Sequence, residues 1–386
     1  MRKTLSILLT ALMVALLVFS PVSALAETVE YEAIPGTTVN FNKYLVFPAD
    51  ANVPNVTFAY TIAPGEAIAA ASGKAAVLAG TATPTVGTAV FSTADTKLDE
   101  VADGDTVTLD AGEVYVKKVV TIDFTGCQFD EPGIYRYVLT EQETATAMGT
   151  TYDTQKGASA TAMVRFVDVY VQDVNNALEI QGYVIHETND APAVSAAMGT
   201  TAEGQDNKSD GYVNEYETHN LSFNKTVTGN QGSKDKYFAF TVTISGAVAG
   251  TRYDVDISGA EATSGQTSAT IAENQGQANV EELTVGADGS VTQVFYLKHG
   301  QSITIKGLAQ GTNYSITENA EDYKSTVTDS GNGAIASSDE TVSFVNERSG
   351  VVPTGVMLTV IPGAVIVLIA IAALVLLSRK KKEENT

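Results

Sequence analysis

The sequence predicts an all-β protein of two tandem β-sandwich domains set between two apolar termini. Three observations carry that prediction. Short runs rich in Val, Thr, Ile, Tyr and Phe alternate in polarity, at 39–47, 114–124, 135–141, 163–171, 178–185, 237–244, 293–297 and 341–345. Clusters of Gly, Asn, Asp and Pro separate these runs, and helical periodicity is weak outside the termini. The length of 386 residues suits about two domains, and the halves open and close with similar segments, as a diverged internal repeat would.

Residues 1–26 start with Arg2 and Lys3, run apolar from Leu5 to Phe19, and end with Ala24 and Ala26 around Leu25. They read as a secretory signal peptide cleaved after Ala26. Residues 27–214 are assigned to the first sandwich. Within them 67–79 reads as a loop insertion, because Gly73 and the Thr, Pro and Gly residues that follow break any helix. The boundary is placed within 215–220, after a polar stretch at 199–211, and 221–347 forms the second sandwich. A linker at 348–355 leads to an apolar helix at 356–378 and a tail at 379–386 that begins Arg379, Lys380, Lys381, Lys382. That pattern is a membrane span stopped by cytoplasmic positive charge.

The net charge of -22, from 45 acidic and 23 basic residues, argues against a nucleic-acid partner, which would need clustered Lys and Arg. Cys127 is the sole cysteine and has no intrachain partner, so it reads as a small buried apolar residue. His186, His219 and His299 lie far apart without metal spacing or a nucleophile motif, so no metal, cofactor or hydrolytic site is expected. Gly331 and Gly333 occupy ligand positions that an EF-hand at 329–340 would need, and they lack the third Gly and the setting of a nucleotide loop.

Side chains two apart share a face of a strand. In 39–47 that places Lys43 with Val39, Phe41, Leu45 and Phe47, and in 221–227 it places Lys225 with Leu221, Phe223 and Val227. Glu141 shares the face of Tyr135, Tyr137 and Leu139, and Glu318 that of Tyr314 and Ile316. Asn214 is in phase with Tyr212, and Asn346 with Phe344. Each half therefore sends a Lys, a Glu and an Asn, in that order, toward its apolar side.

Burial favours the neutral amine of a lysine and the protonated form of a carboxylic acid. A neutral amine is a nucleophile, and a carboxyl beside an amide can donate to its carbonyl and shuttle protons as ammonia leaves. The product is an amide bond between Lys and Asn side chains, favoured by proximity. A buried Lys–Glu ion pair with Asn as a hydrogen-bonding neighbour is the alternative for any one triad. The repetition of order and phase in both halves favours reaction. The self-reaction is single-turnover, so the chain is not expected to be an enzyme.

These residues carry a resemblance. The Phe-Asn-Lys strands, the "E-box" strands YRYVLTE and YSITE, and the closing YVNE and FVNE segments resemble the streptococcal pilin isopeptide linkage domains of Gram-positive pilus backbone proteins. The resemblance implies immunoglobulin-like, Cna-B-type sandwiches. It implies bonds from Lys43 to Asn214 with Glu141 as catalyst, and from Lys225 to Asn346 with Glu318. The first half departs from the pattern by its insertion and by the long gap between Glu141 and Asn214.

Val352, Pro353, Thr354 and Gly355 stand directly before the span and basic tail, an arrangement that resembles a sortase sorting signal in its Val-Pro-Thr-Gly variant. Cleavage would fall between Thr354 and Gly355, passing the Thr354 carbonyl to an amine. The implied partners are a sortase, neighbouring pilin subunits, and peptidoglycan or a basal pilin, with the membrane holding the chain before sorting. Lys208 resembles the family's location for the acceptor lysine. No Tyr-Pro-Lys motif supports it, and Lys156 and Lys234 compete. The expected location is the cell wall and surface of a Gram-positive bacterium. A wall-anchored adhesin that is never polymerised is the rival reading. A substrate-binding lipoprotein or enzyme is weaker, because the signal peptide lacks a lipobox Cys.

Overall fold

A computed structural model describes residues 37–144, 149–154, 163–192, 208–259 and 279–351. The signal peptide, Lys156, the sorting signal from Val352 to Gly355, the apolar span and the basic tail lie outside the described residues. Among the described residues there is no α-helix, only strands and one 3-10 turn at Thr328–Gly331. In the first half the strands are β1 (Thr38–Pro48), β2 (Val56–Pro64), β3 (Leu78–Ala79), β4 (Thr85–Val86), β5 (Ala89–Phe91), β6 (Glu113–Asp123), β7 (Gly133–Gln142), β8 (Thr150–Thr151), β9 (Val164–Val174), β10 (Ala177–His186), β11 (Lys208–Ser209) and β12 (Gly211–Tyr216). The second half follows with β13 (Thr218–Thr228), β14 (Phe238–Ser245), β15 (Arg252–Gly259), β16 (Glu282–Thr284), β17 (Ser290–Leu297), β18 (Gln301–Ala309), β19 (Asn313–Asn319), β20 (Lys324–Val327), β21 (Asn332–Ala334) and β22 (Glu340–Glu347). Each of the eight alternating runs lies on one of these strands.

In the first half one sheet has the order β4-β6-β1-β12-β8 and the other β11-β10-β9-β7-β2-β5, with β3 beside β7. The second half has β16-β15-β18-β13-β22-β20 and β17-β14-β19-β21. One pairing scheme recurs. The opening strand lies between an antiparallel neighbour and a parallel closing strand, β6 and β12 around β1, then β18 and β22 around β13. The facing sheet pairs β2 with β7 and β14 with β19, both antiparallel. The inner faces meet in a core of Phe41, Leu45, Phe58, Tyr137, Val167 and Tyr212 in the first half. Leu221, Phe223, Phe240, Phe295, Ile316 and Phe344 do the same in the second. Burial of each large apolar side chain is worth about 1.5–3 kcal/mol, so these inner faces fix strand register.

The first half also covers its outer faces, which alternation alone did not predict. Tyr44 and Val46, out of phase with Lys43, are buried because residues 92–112 fold over β1 and pack Val107, Leu98 and Leu109 against them and against Tyr115 of the neighbouring β6. Tyr44 donates to Asp210 Oδ2 at 2.6 Å and Tyr115 to Asp105 Oδ2 at 2.7 Å. The predicted loop insertion gains pairing too. Ile68 bridges Val77, Leu78–Ala79 joins β7 in parallel, and Val77 packs on Ile134 and Tyr170. Under this cover Arg136 is fully buried, forked onto Asp168 by Nε and Nη2 at 2.8 Å each, with Nη1 donating to Asn189. Burial raises the Asp168 pKa, but Arg136 and His186 outweigh it and hold the carboxyl below the usual range.

Removing one partner of a buried ion pair leaves the other charge without compensation. Asp168→Ala is therefore expected to lower the unfolding free energy by about 3–5 kcal/mol. Denaturant titration followed by circular dichroism measures it; a loss under about 1 kcal/mol would contradict a buried charged Arg136.

Candidate functional site

Lys43 projects inward from the middle of β1 and Lys225 from the middle of β13, 0% and 1% exposed respectively. Register places each asparagine two residues beyond the aromatic residue that faces the lysine. Lys43 is opposite Tyr212 and Leu45 opposite Asn214; Lys225 is opposite Phe344 and Val227 opposite Asn346. In parallel neighbours this diagonal brings a long amine to the short amide on the same face. The glutamate arrives from the facing sheet, Glu141 opposite Tyr60 on β2 and Glu318 opposite Phe240 on β14. The close approach of β12 to β1 requires Gly211, where a Cβ would stand 1.7 Å from the Asn42 carbonyl oxygen.

In the first site Lys43 Nζ lies 2.8 Å from Glu141 Oε1, and both side chains are 0% exposed. Asn214 Nδ2 donates to Glu141 Oε2 at 3.0 Å. In the second site Lys225 Nζ pairs with Glu318 Oε1, and Asn346 Nδ2 donates to that same oxygen at 2.9 Å. Each lysine also sits over an aromatic ring at matching positions, 4.5 Å from the Phe58 centroid and 4.4 Å from that of Phe238. All six residues singled out in the two triads thus come together in two groups of three. In one respect the geometry differs from the expectation. Each glutamate contacts the nitrogen of the asparagine amide, whereas a donor to its carbonyl was expected.

Electrostatics favour a reactive amine. Burial lowers the Lys43 pKa from 10.5 to about 8, against the opposing pull of Glu141. Burial likewise lowers that of Lys225, partly offset by Glu318. A carboxylate between an amine and an amide nitrogen can relay a proton from one to the other, which aminolysis of a carboxamide requires.

The surroundings of the triads were not legible as site residues. Asp153 donates its backbone N–H to Asn214 Oδ1 at 3.0 Å, and its carboxylate binds Arg165 at 2.6 Å. Arg165 in turn lies over the Tyr212 ring at 4.7 Å. In the second site Ser325 Oγ donates to Glu318 Oε2 at 3.0 Å. No inward phase or motif marks Asp153 or Ser325; both act from segments flanking the closing strand.

The remaining candidates lie elsewhere. Lys208 is exposed on β11, opposite His186, and Lys234 is exposed in the turn after β13. Cys127 is half-buried, packed against the first core. His299 Nδ1 accepts the Val227 N–H at 3.0 Å, and His186 lies 3.2 Å from Asp168.

Residues 56–217 match a family described as the Spy0128-like isopeptide containing domain, and 219–348 match a domain of unknown function. The pilin of Streptococcus pyogenes serotype M1 is 26% identical over 285 residues, 68% of this chain and 72% of that protein. In sequence the chain is thus similar to a streptococcal pilin. The crystal structure of the major pilin from Streptococcus pyogenes superposes with a TM-score of 0.50 at 19% identity, over 82% of this chain and all of that one. The pilus tip adhesin Cpa of the same species is 38% identical over 145 residues, 36% of this chain and 18% of the adhesin.

The lowered Lys43 pKa makes a testable statement about stability. Between about 8 and 10.5 the unfolded state binds the extra proton, so stability rises with pH across that window. In Asn214→Ala, where the amine cannot react, the melting temperature is expected to climb from pH 7 to pH 10 relative to Lys43→Met/Asn214→Ala. Parallel pH profiles of the two variants would show that Lys43 is not desolvated.

Proposed function

We propose that this chain is a structural subunit of a covalent surface pilus, stabilised by two intramolecular isopeptide bonds and joined to its neighbours by a sortase. The observation that carries the reading is the twofold occurrence of one geometry, Lys, Glu and Asn within hydrogen-bond reach in a dry interior.

The reaction begins with proton transfer from the lysine ammonium to the glutamate inside the pair. The free amine attacks Cγ of the asparagine, a C–N bond forms, and the carbonyl electron pair moves to Oδ1. The glutamic acid gives its proton to Nδ2 and takes one from the attacking nitrogen. The Cγ–Nδ2 bond breaks, ammonia leaves, the carbonyl re-forms and the carboxyl is regenerated. Atoms balance as amine plus carboxamide going to amide plus ammonia. Preorganised contact lowers the barrier by at most about 7–11 kcal/mol relative to free reactants.

The sorting signal from Val352 to Gly355 would then hand the Thr354 carbonyl to an acceptor amine, and the span and tail would remain in the membrane. Lys208 suits the acceptor role because it is exposed on a two-residue edge strand paired with β10. Lys234 remains an exposed competitor and Lys156 lies outside the described residues. The similarity to the tip adhesin favours a second reading, a wall-anchored adhesin that is not polymerised.

The intact mass of the mature chain, residues 27–354, is expected to fall short of the calculated value by two ammonias, about 34 mass units. Glu318→Ala should keep a folded chain and restore one ammonia, with peptide mapping locating the loss at Lys225 and Asn346; a persisting cross-link there would remove Glu318 from its role. In wall extracts, ladders of high molecular weight that vanish with Thr354→Ala support the polymer. A single wall-bound band would support the adhesin.

A further inference from the structure

The two triads are alike, but the carbonyls they would attack are not in like surroundings. Asn346 Oδ1 is buried and has no hydrogen-bond partner among the described residues. Asn214 Oδ1 accepts the Asp153 backbone N–H at 3.0 Å, while the other end of the same amide donates to Glu141. These two contacts hold the Asn214 amide at both its oxygen and its nitrogen, beside the carboxylate that pairs with Lys43. The donor is itself held on two sides. Asp153 Oδ2 accepts the Val213 N–H at 2.9 Å and pairs with Arg165 at 2.6 Å. Arg165 is 1% exposed as a side chain and donates by Nε to the Gly211 carbonyl at 3.1 Å. The preceding residues Thr150 and Thr151 pair with Tyr216 and Glu215 on β12. Residue 153 is thereby clamped to the strand that carries the reacting asparagine, one residue from it at Val213.

We propose that the Asp153 backbone N–H is the oxyanion donor of the first site, and that the Asp153 side chain, braced by Arg165, is the positioning group that aims it. The assignment rests on the cross-linking reading above and deepens it. As Lys43 Nζ adds to Cγ, negative charge grows on Asn214 Oδ1, and a donor already at hydrogen-bond distance stabilises that charge with no reorganisation. When ammonia leaves with the proton relayed by Glu141, the carbonyl re-forms on the same N–H. Glu141, occupied by the amine and the amide nitrogen, is then needed only for proton transfer. In the second site Ser325 fixes the second oxygen of Glu318 and, among the described residues, no backbone N–H reaches the Asn346 carbonyl, so Asp153 acts on one bond of the two.

The test follows both bonds in one molecule. The mature chain is made by cell-free translation, quenched in acid at intervals and mapped by mass for the Lys43–Asn214 and Lys225–Asn346 peptides. The decisive variant replaces the residue 153 peptide N–H with an ester oxygen, leaving the side chain intact. It is expected to slow the first bond about 10²-fold and leave the second at the wild-type rate. Asp153→Ala should slow the first bond as well, and Asp153→Asn, which can still accept the Val213 N–H, should recover part of the rate. Thermal unfolding of each variant in a Lys43→Ala background, where the first bond cannot form, separates an effect on rate from an effect on folding. An ester variant that forms the first bond at the wild-type rate overturns the assignment, as does slowing matched by an equal loss of folded chain in that background. Absence of both bonds from the wild type would instead sink the cross-linking reading itself.

Discussion

Everything in this structure follows from carrying a lysine ammonium into a dry β-sandwich, which costs several kcal/mol unless a counter-charge meets it. Each half solves the problem alike, by bringing a glutamate from the facing sheet and placing the amine over a phenylalanine ring. The solution is geometric before it is electrostatic. A parallel closing strand next to the opening strand puts the asparagine diagonal to the lysine, and the antiparallel pair in the other sheet supplies the acid. Shifting any of these strands by one residue would turn its polar group outward, so the apolar neighbours that set register also set the chemistry.

The halves differ in how far the environment is closed. The first is covered on outer as well as inner faces, and it buries a second ionic group, Arg136 with Asp168, behind the sheet that holds Glu141. Its triad is sealed by Arg165, Asp153 and Tyr212. The second is plainer, with Ser325 reaching Glu318 from the exposed flanking strand β20. Deep burial takes Lys43 down to about 8, and Lys225 moves in the same direction. Two like triads thus sit in two electrostatic settings on one chain.

The triads were legible in the sequence because period-two alternation assigns faces without knowledge of the partner strand. A Lys in phase with Phe41 and Leu45, or a Glu in phase with Tyr137 and Leu139, is an anomaly that the inner face has to resolve. The same rule failed for Tyr44 and Arg136, which it sends outward to solvent. They are buried because 92–112 and the hairpin around 68–78 fold back over them, and alternation within a strand carries no information about a distant segment that covers it. Asp153 escaped notice for a different reason. Its contact with the site is through a backbone N–H, which every residue but proline possesses.

The parallel arrangement of first and last strands has a mechanical meaning as well. Tension applied to the ends of a half loads β1 against β12, or β13 against β22, in shear, so the ladder bonds between them share the load. A covalent link between Lys43 and Asn214 would sit inside that same strand pair. Force would then enter at residue 43, cross to 214, run through the short junction to 225 and cross to 346. The strands between would be bypassed, along with Arg136, Asp168 and both aromatic cores. Such a chain could keep ordinary non-covalent stability in its interior and still be inextensible. It needs strong bonds only where the opening strand meets the closing one, and that is where both triads stand.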